Sequence, residues 1–123
     1  MMQTEKTAEL LVERYRGGDF AAARAELFAP HVTSVEPAGA PSEVSAALSA
    51  IRADKRCSPD SGLQLTGVDV CDPLVAGDYF TVSMALDSTI VGRGRVTVDE
   101  LRVYYRVCSG KIVSERFFYT CGS

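Results

Sequence analysis

Near Gly62 the apolar side chains of this sequence change their period, and that change limits the folds open to it. Before it they recur every three or four residues, as on one face of a helix. After it they alternate, as on a half-buried strand. In TAELLVERYRGGDFAAARAELF, residues 7–28, the positions Ala8, Leu11, Val12 and Tyr15 predict a first helix, with Thr4 or Thr7 as its N-cap. Gly17 and Gly18 stop it. Asp19 can cap a second helix through Ala21, Ala22, Ala25 and Phe28, and Pro30 ends that one. The segment HVTSVEP has the composition of a short strand and PAGAPS that of a turn. A third helix is predicted over residues 42–55, with Val44, Ala47, Leu48 and Ile51 on one face.

The second half reads as a meander. Leu63, Leu65, Val68 and Val70 predict a strand that ends at Asp72 and Pro73. YFTVSMALDSTIV and RVTVDELRVYYRV are long strands joined through Gly92-Arg93-Gly94, and Ser109-Gly110 turns the chain into KIVSERFFYTC. Helices first and antiparallel strands afterwards make the class α+β, in a single domain spanning 1–123. The composition, 46% hydrophobic and 24% charged, is that of a globular chain with one core. Thirteen basic against sixteen acidic side chains, with no basic block, argue against nucleic acid as a partner. No apolar run is long enough to span a membrane. Four cysteines without a CxxC pair and a single histidine, His31, make a metal centre an unexpected feature. With no export signal at the start, they are expected to be free thiols of a cytoplasmic protein.

Several segments in this order resemble a known family. The GGD turn between two helices, LFAP after the second, SVEPAG, GDYFTV and the closing GKIVSERFFY are similar to the SnoaL-like families of the nuclear transport factor 2-like superfamily. The resemblance covers nearly the whole chain. It implies a cystatin-like cone: a strongly curved antiparallel sheet wrapped around three N-terminal helices, with a deep apolar cavity between them. It also implies a homodimer through the outer sheet face. Members include isomerases, polyketide cyclases, epoxide hydrolases and dehydratases, so the fold leaves the reaction open.

Four side chains are candidates for catalytic roles, Glu36, Glu115 and Tyr119 foremost. EPAG occupies the place of the DPVG-type segment of steroid isomerases, so the resemblance makes Glu36 the proton-shuttling base; a structural carboxylate capping the turn or pairing with an arginine is the alternative. A carboxylate at a strand end facing an apolar cavity is suited to exchanging protons near neutral pH. In the last strand Lys111, Val113, Glu115, Phe117 and Tyr119 share one face by alternation, and the resemblance puts that face on the cavity side. Glu115 would then be a second carboxylate in the pocket, unless it pairs with Arg102, Arg106 or Arg116 outside. Tyr119 and Tyr105 could donate to an oxyanion. Counting back from the GGD turn puts Leu11 where steroid isomerases carry their oxyanion tyrosine, one helical turn before Tyr15, and Val103 where they carry its partner acid. Tyr15, Phe80, Val82, Met84, Leu101, Val103, Tyr105 and Phe117 are expected to line the substrate pocket.

The expected function is a small-molecule enzyme of cofactor-free general acid–base chemistry. It would be an isomerase, cyclase or lyase of the dehydratase type, acting on a hydrophobic carbonyl compound in the cone. A non-catalytic binding module for an apolar small molecule is the alternative. Tyr104, Phe118, Val96 and Val98 are expected to form the apolar outer face that a second copy would cover.

Overall fold

The computed structural model describes residues 2–36, 48, 63–90, 92 and 94–120. The third helix expected over 42–55 lies outside them, except that Leu48 is helical and fully buried. The turn at 37–42 also lies outside. Two helices, α1 (Met2–Arg16) and α2 (Phe20–Leu27), precede six strands: β1 (Phe28–Val35), β2 (Leu63–Val70), β3 (Leu74–Ala76), β4 (Tyr79–Ile90), β5 (Gly94–Cys108) and β6 (Lys111–Thr120). They form one sheet in the order β1-β6-β5-β4-β2, with β3 also paired to β4. Every pair is antiparallel except β1 with β6. The class is α+β, with helices on one face of a curved sheet that does not close, since β1 and β2 are its free edges.

The helix ends differ in detail from the expectation. Thr4 and Thr7 lie inside α1 and cap nothing; the Thr7 hydroxyl instead donates to the Gly110 carbonyl at 3.1 Å, pinning the helix to the β5–β6 turn. Gly18, at φ +78°, takes the left-handed position that ends α1. Helix α2 stops at Leu27, three residues before Pro30, and passes directly into β1. Pro30 has no N–H to give to a ladder, and β1 tolerates it as an edge strand. There the β1–β6 register jumps, from Phe28 opposite Ile112 to Thr33 opposite Ser114.

The buried face of α2 is also not the expected one. Phe20, Ala23 and Leu27 are buried, whereas Ala21, Ala22 and Ala25 are exposed.

Bulges curl the sheet by lengthening one strand of a pair and increasing its local twist. Thr66 is the extra residue of β2 opposite β4, Val113 is the extra residue of β6 opposite β5, and one more residue is inserted in β5 between Val98 and Leu101. Each resets the alternation. Past the β5 bulge Val98 points inward and is 3% exposed, so it belongs to the core rather than the outer face. Past Val113 it is Ile112 that is buried, and Lys111 is exposed. Strict alternation across residues 111–119 is therefore broken at Val113, although Glu115 and Phe117 keep the inward side.

The core joins Ala8, Leu11, Val12 and Tyr15 of α1 to the inward rows of β4, β5 and β6. Cys71 and Cys108 are free, exposed thiols; Cys57 and Cys121 lie outside the described residues. Among the described residues no helix is long and apolar enough to cross a membrane.

Candidate functional site

Five polar side chains from five elements meet at one place, Tyr15, Tyr105 and Glu115 buried in the core, Arg24 partly buried and Ser34 at the exposed edge. Glu115, inward on β6, has a side chain with no exposed surface. An ionised carboxylate in such a place needs a partner, and α2 supplies it. Arg24 donates through Nη2 to Glu115 Oε1 at 2.5 Å, and the Ser34 hydroxyl of β1 donates to the same oxygen at 3.0 Å. The Arg24 guanidinium lies 4.1 Å from the centre of the Phe28 ring, a cation–π contact that holds it in place. Glu115 thus forms an ion pair, but within the core rather than with Arg102, Arg106 or Arg116 outside. A guanidinium at this distance favours the ionised carboxylate.

Tyr15 of α1 and Tyr105 of β5 complete the cluster, both wholly buried. Phe80 stacks on Tyr105 with ring centres 4.7 Å apart, Phe28 meets Tyr105 edge-on, and Phe20 packs against Tyr15 at 4.8 Å. The hydroxyls lie near enough to influence one another, yet neither oxygen has a hydrogen-bond partner of good geometry among the described residues. Burial pushes both phenols well above the usual tyrosine range. The Glu115 charge adds to that in each, the nearby Tyr15 phenol adds to it at Tyr105, and Arg24 opposes it. Both therefore remain protonated donors throughout the neutral range. Buried phenols seldom go without a partner, and the nearest approach to one here is the contact of the two hydroxyls with each other.

Leu11 and Tyr15 are four residues apart on the same buried face of α1. A phenol thus reaches the interior one helical turn after the position that steroid isomerases use. Phe80, Val82, Met84, Leu101, Val103 and Phe117 are all buried in the core on the inward side of the sheet.

Glu36 follows the end of β1, half-buried. It lies one residue beyond the strand and two after Ser34, whose hydroxyl reaches Glu115. The side chain of Tyr119 lies outside the described residues. No group of three His, Cys, Asp or Glu side chains able to hold a metal ion occurs among the described residues.

Sequence reasoning missed Arg24 and Ser34. The signal for Arg24 was the row Phe20, Ala23, Arg24, Leu27, which is the i, i+3, i+4, i+7 face of a helix and carries an arginine in its middle.

The structure is an α+β fold with a curved, unclosed sheet and a polar cluster sunk in its apolar interior. The chain belongs to the SnoaL-like domain family, whose model matches residues 2–119. Its structure is similar to that of a SnoaL-like protein from Mesorhizobium loti described as a polyketide cyclase. The two share 29% identity at a TM-score of 0.74, over 93% of this chain and 97% of the other. A nuclear transport factor 2-like protein from Burkholderia thailandensis has the same fold at 21% identity and a TM-score of 0.69, over 95% and 90% of the two chains. So does an LEH-like epoxide hydrolase from M. tuberculosis, at 16% identity and a TM-score of 0.61, over 97% and 79%. No curated protein matches the chain by sequence.

Proposed function

We propose that this protein is a small-molecule enzyme that moves a proton on a hydrophobic carbonyl compound, in an isomerisation, cyclisation or dehydration, using side chains alone. The observation that carries this reading is the pair of adjacent, buried, protonated phenols, whose hydroxyls are close to each other and have no other well-aligned partner among the described residues. Two such donors suit a carbonyl oxygen whose negative charge grows as a neighbouring C–H bond breaks. In this reading Glu36 takes the α-proton and the substrate becomes an enolate, held by hydrogen bonds from Tyr15 and Tyr105. Glu36 then returns the proton to another carbon, or to a leaving oxygen. Glu115 is tied to Arg24, so it acts as a positioning residue that fixes the guanidinium and shapes the field around the phenols.

The test is exchange of α-protons with D2O, followed by proton NMR across a panel of hydrophobic ketones and esters. The wild-type protein is expected to accelerate exchange in at least one. Removing one oxyanion donor in Tyr105→Phe should slow it by ~10²–10³, and Glu36→Gln by ~10²–10⁴. Exchange at the buffer rate for compounds that demonstrably bind would refute catalysis and leave the binding-module reading. That second reading draws its support from the quenching of Glu115 by Arg24.

A further inference from the structure

Strand β1 is an edge of the sheet and runs parallel to β6, whereas the other strand pairs among the described residues are antiparallel. A parallel pair is slightly the less stable of the two kinds, residue for residue. The β1–β6 ladder is also interrupted. After Phe28, opposite Ile112, the next residue in register is Thr33, opposite Ser114, and Pro30 in the gap has no N–H to give. Helix α2 leads into β1 without a loop, yet this irregular stretch intervenes, so the helix does not set where the strand ends. Past the gap Thr33, Ser34 and Val35 stand opposite Ser114, Glu115 and Arg116. Glu36 comes next, so whatever fixes these three residues fixes the backbone from which the proposed base projects.

Beyond the ladder itself, a side-chain bond ties this stretch down. The Ser34 hydroxyl donates to Glu115 Oε1 at 3.0 Å, the oxygen that also accepts from Arg24. Ser34 and Glu115 are register partners, so the bond crosses the ladder directly rather than pulling the strand along it. Its acceptor is a carboxylate held ionised by a guanidinium, which makes the bond one of the stronger, charge-assisted kind. The anchor point is firm, since Glu115 is buried and Arg24 is held in turn over the Phe28 ring. Ser34 is exposed, so water could satisfy its hydroxyl and the serine has no need of the bond on its own account. The hydroxyl of its neighbour Thr33 has no such bond among the described residues.

We propose that Ser34 is a positioning residue for the reaction: by tying the end of β1 to the buried Glu115–Arg24 pair, it fixes the backbone that carries Glu36. The inference rests on the reading of Glu36 as the base. Ser34 itself neither gives nor takes a proton of the substrate. A general base works only within hydrogen-bond reach of the proton it removes, and a displacement of ~1 Å can cost ~10² in rate. The ion pair thus has a second duty, as the fixed point against which an otherwise loosely held edge strand is set.

The D2O exchange assay tests this, run over a range of concentrations of a compound that the wild type turns over. In Ser34→Ala kcat should fall by ~10–10², with KM within about twofold of wild type, because the base is misplaced while the pocket is intact. Thr33→Ala removes the neighbouring hydroxyl from the same strand and should keep the wild-type kcat, so a general weakening of β1 is told apart from loss of the bond. Both side chains are exposed, and circular dichroism checks that each variant is folded. In Glu36→Asp the carboxylate is already drawn back by one methylene. There Ser34→Ala should cost at most about a third of its factor in wild type, since effects that act through one group do not multiply. The inference is overturned if Ser34→Ala keeps the wild-type kcat, if Thr33→Ala loses as much, or if the Ser34 and Glu36 effects multiply in full. A wild type that exchanges no compound overturns it together with the proposed function, so the wild type alone tells the two failures apart.

Discussion

Replacing Arg24 by methionine removes the guanidinium from Glu115 while keeping most of the aliphatic stem that packs on Phe28. Glu115 has no exposed side-chain surface and Arg24 only 15%. Breaking one side of a buried ion pair costs ~3–5 kcal/mol, because a charge is left in a poorly solvating place. The Ser34 hydroxyl still donates to Oε1, so the expected loss lies at the low end, ~3 kcal/mol. A chain of 123 residues has a total stability of ~6–18 kcal/mol, so the variant should still fold and unfold reversibly in urea. Replacing both partners, in Arg24→Met/Glu115→Leu, should recover most of the loss, since no charge is left behind. Urea unfolding followed by circular dichroism measures both variants. A deficit below ~1 kcal/mol in Arg24→Met, or a double variant no more stable than the single one, would refute a buried, ionised pair.

The two phenols give a prediction in which stability and activity diverge. Tyr15→Phe and Tyr105→Phe each delete a buried hydroxyl whose closest polar neighbour is the other phenol, so urea unfolding should show each variant within ~1 kcal/mol of wild type, while proton exchange on substrate slows. Because burial holds both phenols above the ordinary value of 10.0, their contribution to stability is complete below that pH and is lost as pH rises through the alkaline range. The double variant Tyr15→Phe/Tyr105→Phe should accordingly lose stability less steeply than wild type above pH ~10 in the same assay, and an identical slope would contradict the burial. At the β5–β6 turn both Ser109 and Gly110 have positive φ, +53° and +78°, as a two-residue turn of this hand requires. A Cβ at Gly110 would meet nothing within 4 Å, so Gly110→Ala should cost only the backbone term of ~1 kcal/mol. A thermal unfolding curve checks that figure.

The strands and the first helix were legible because their apolar rows are long and regular. The row Ala8, Leu11, Val12 and Tyr15 is buried as read, as are Phe80, Val82 and Met84 on β4. What defeated the reading was local phase. Helix α2 has eight residues, four of them alanine, and alanine marks a buried face and an exposed one equally well. Choosing Ala21, Ala22 and Ala25 as the inner row turned Arg24 toward solvent on paper. The bulky ends Phe20 and Leu27, seven residues apart, set the true phase and bring Arg24 inward. Bulges have no such local signature. Alternation carried backward along β5 from Leu101 would put Val98 outside, and one inserted residue puts it in the core.

These two failures have a common cause, and it bears on the site. A bulge or a short alanine helix is settled by what the rest of the fold needs to bury, so its phase is a tertiary property. Arg24 and Glu115 are 91 positions apart, on elements whose phase is fixed in that way, and neither has a reason to be inside until the other is. Once paired, they bring a neutral but strongly polar group beside Tyr15 and Tyr105, which regular rows alone placed in the core. The apolar periodicity thus places the walls and the phenols, and the tertiary fold adds the charges that orient them. Arg24 is therefore the residue whose removal should most clearly separate the two halves of this site. In Arg24→Met the walls and phenols stay while the charge balance fails, so any ligand held by apolar contact alone should still bind. Proton exchange on a carbonyl should fall in that variant, and a ligand titration run beside the D2O exchange assay shows whether it does.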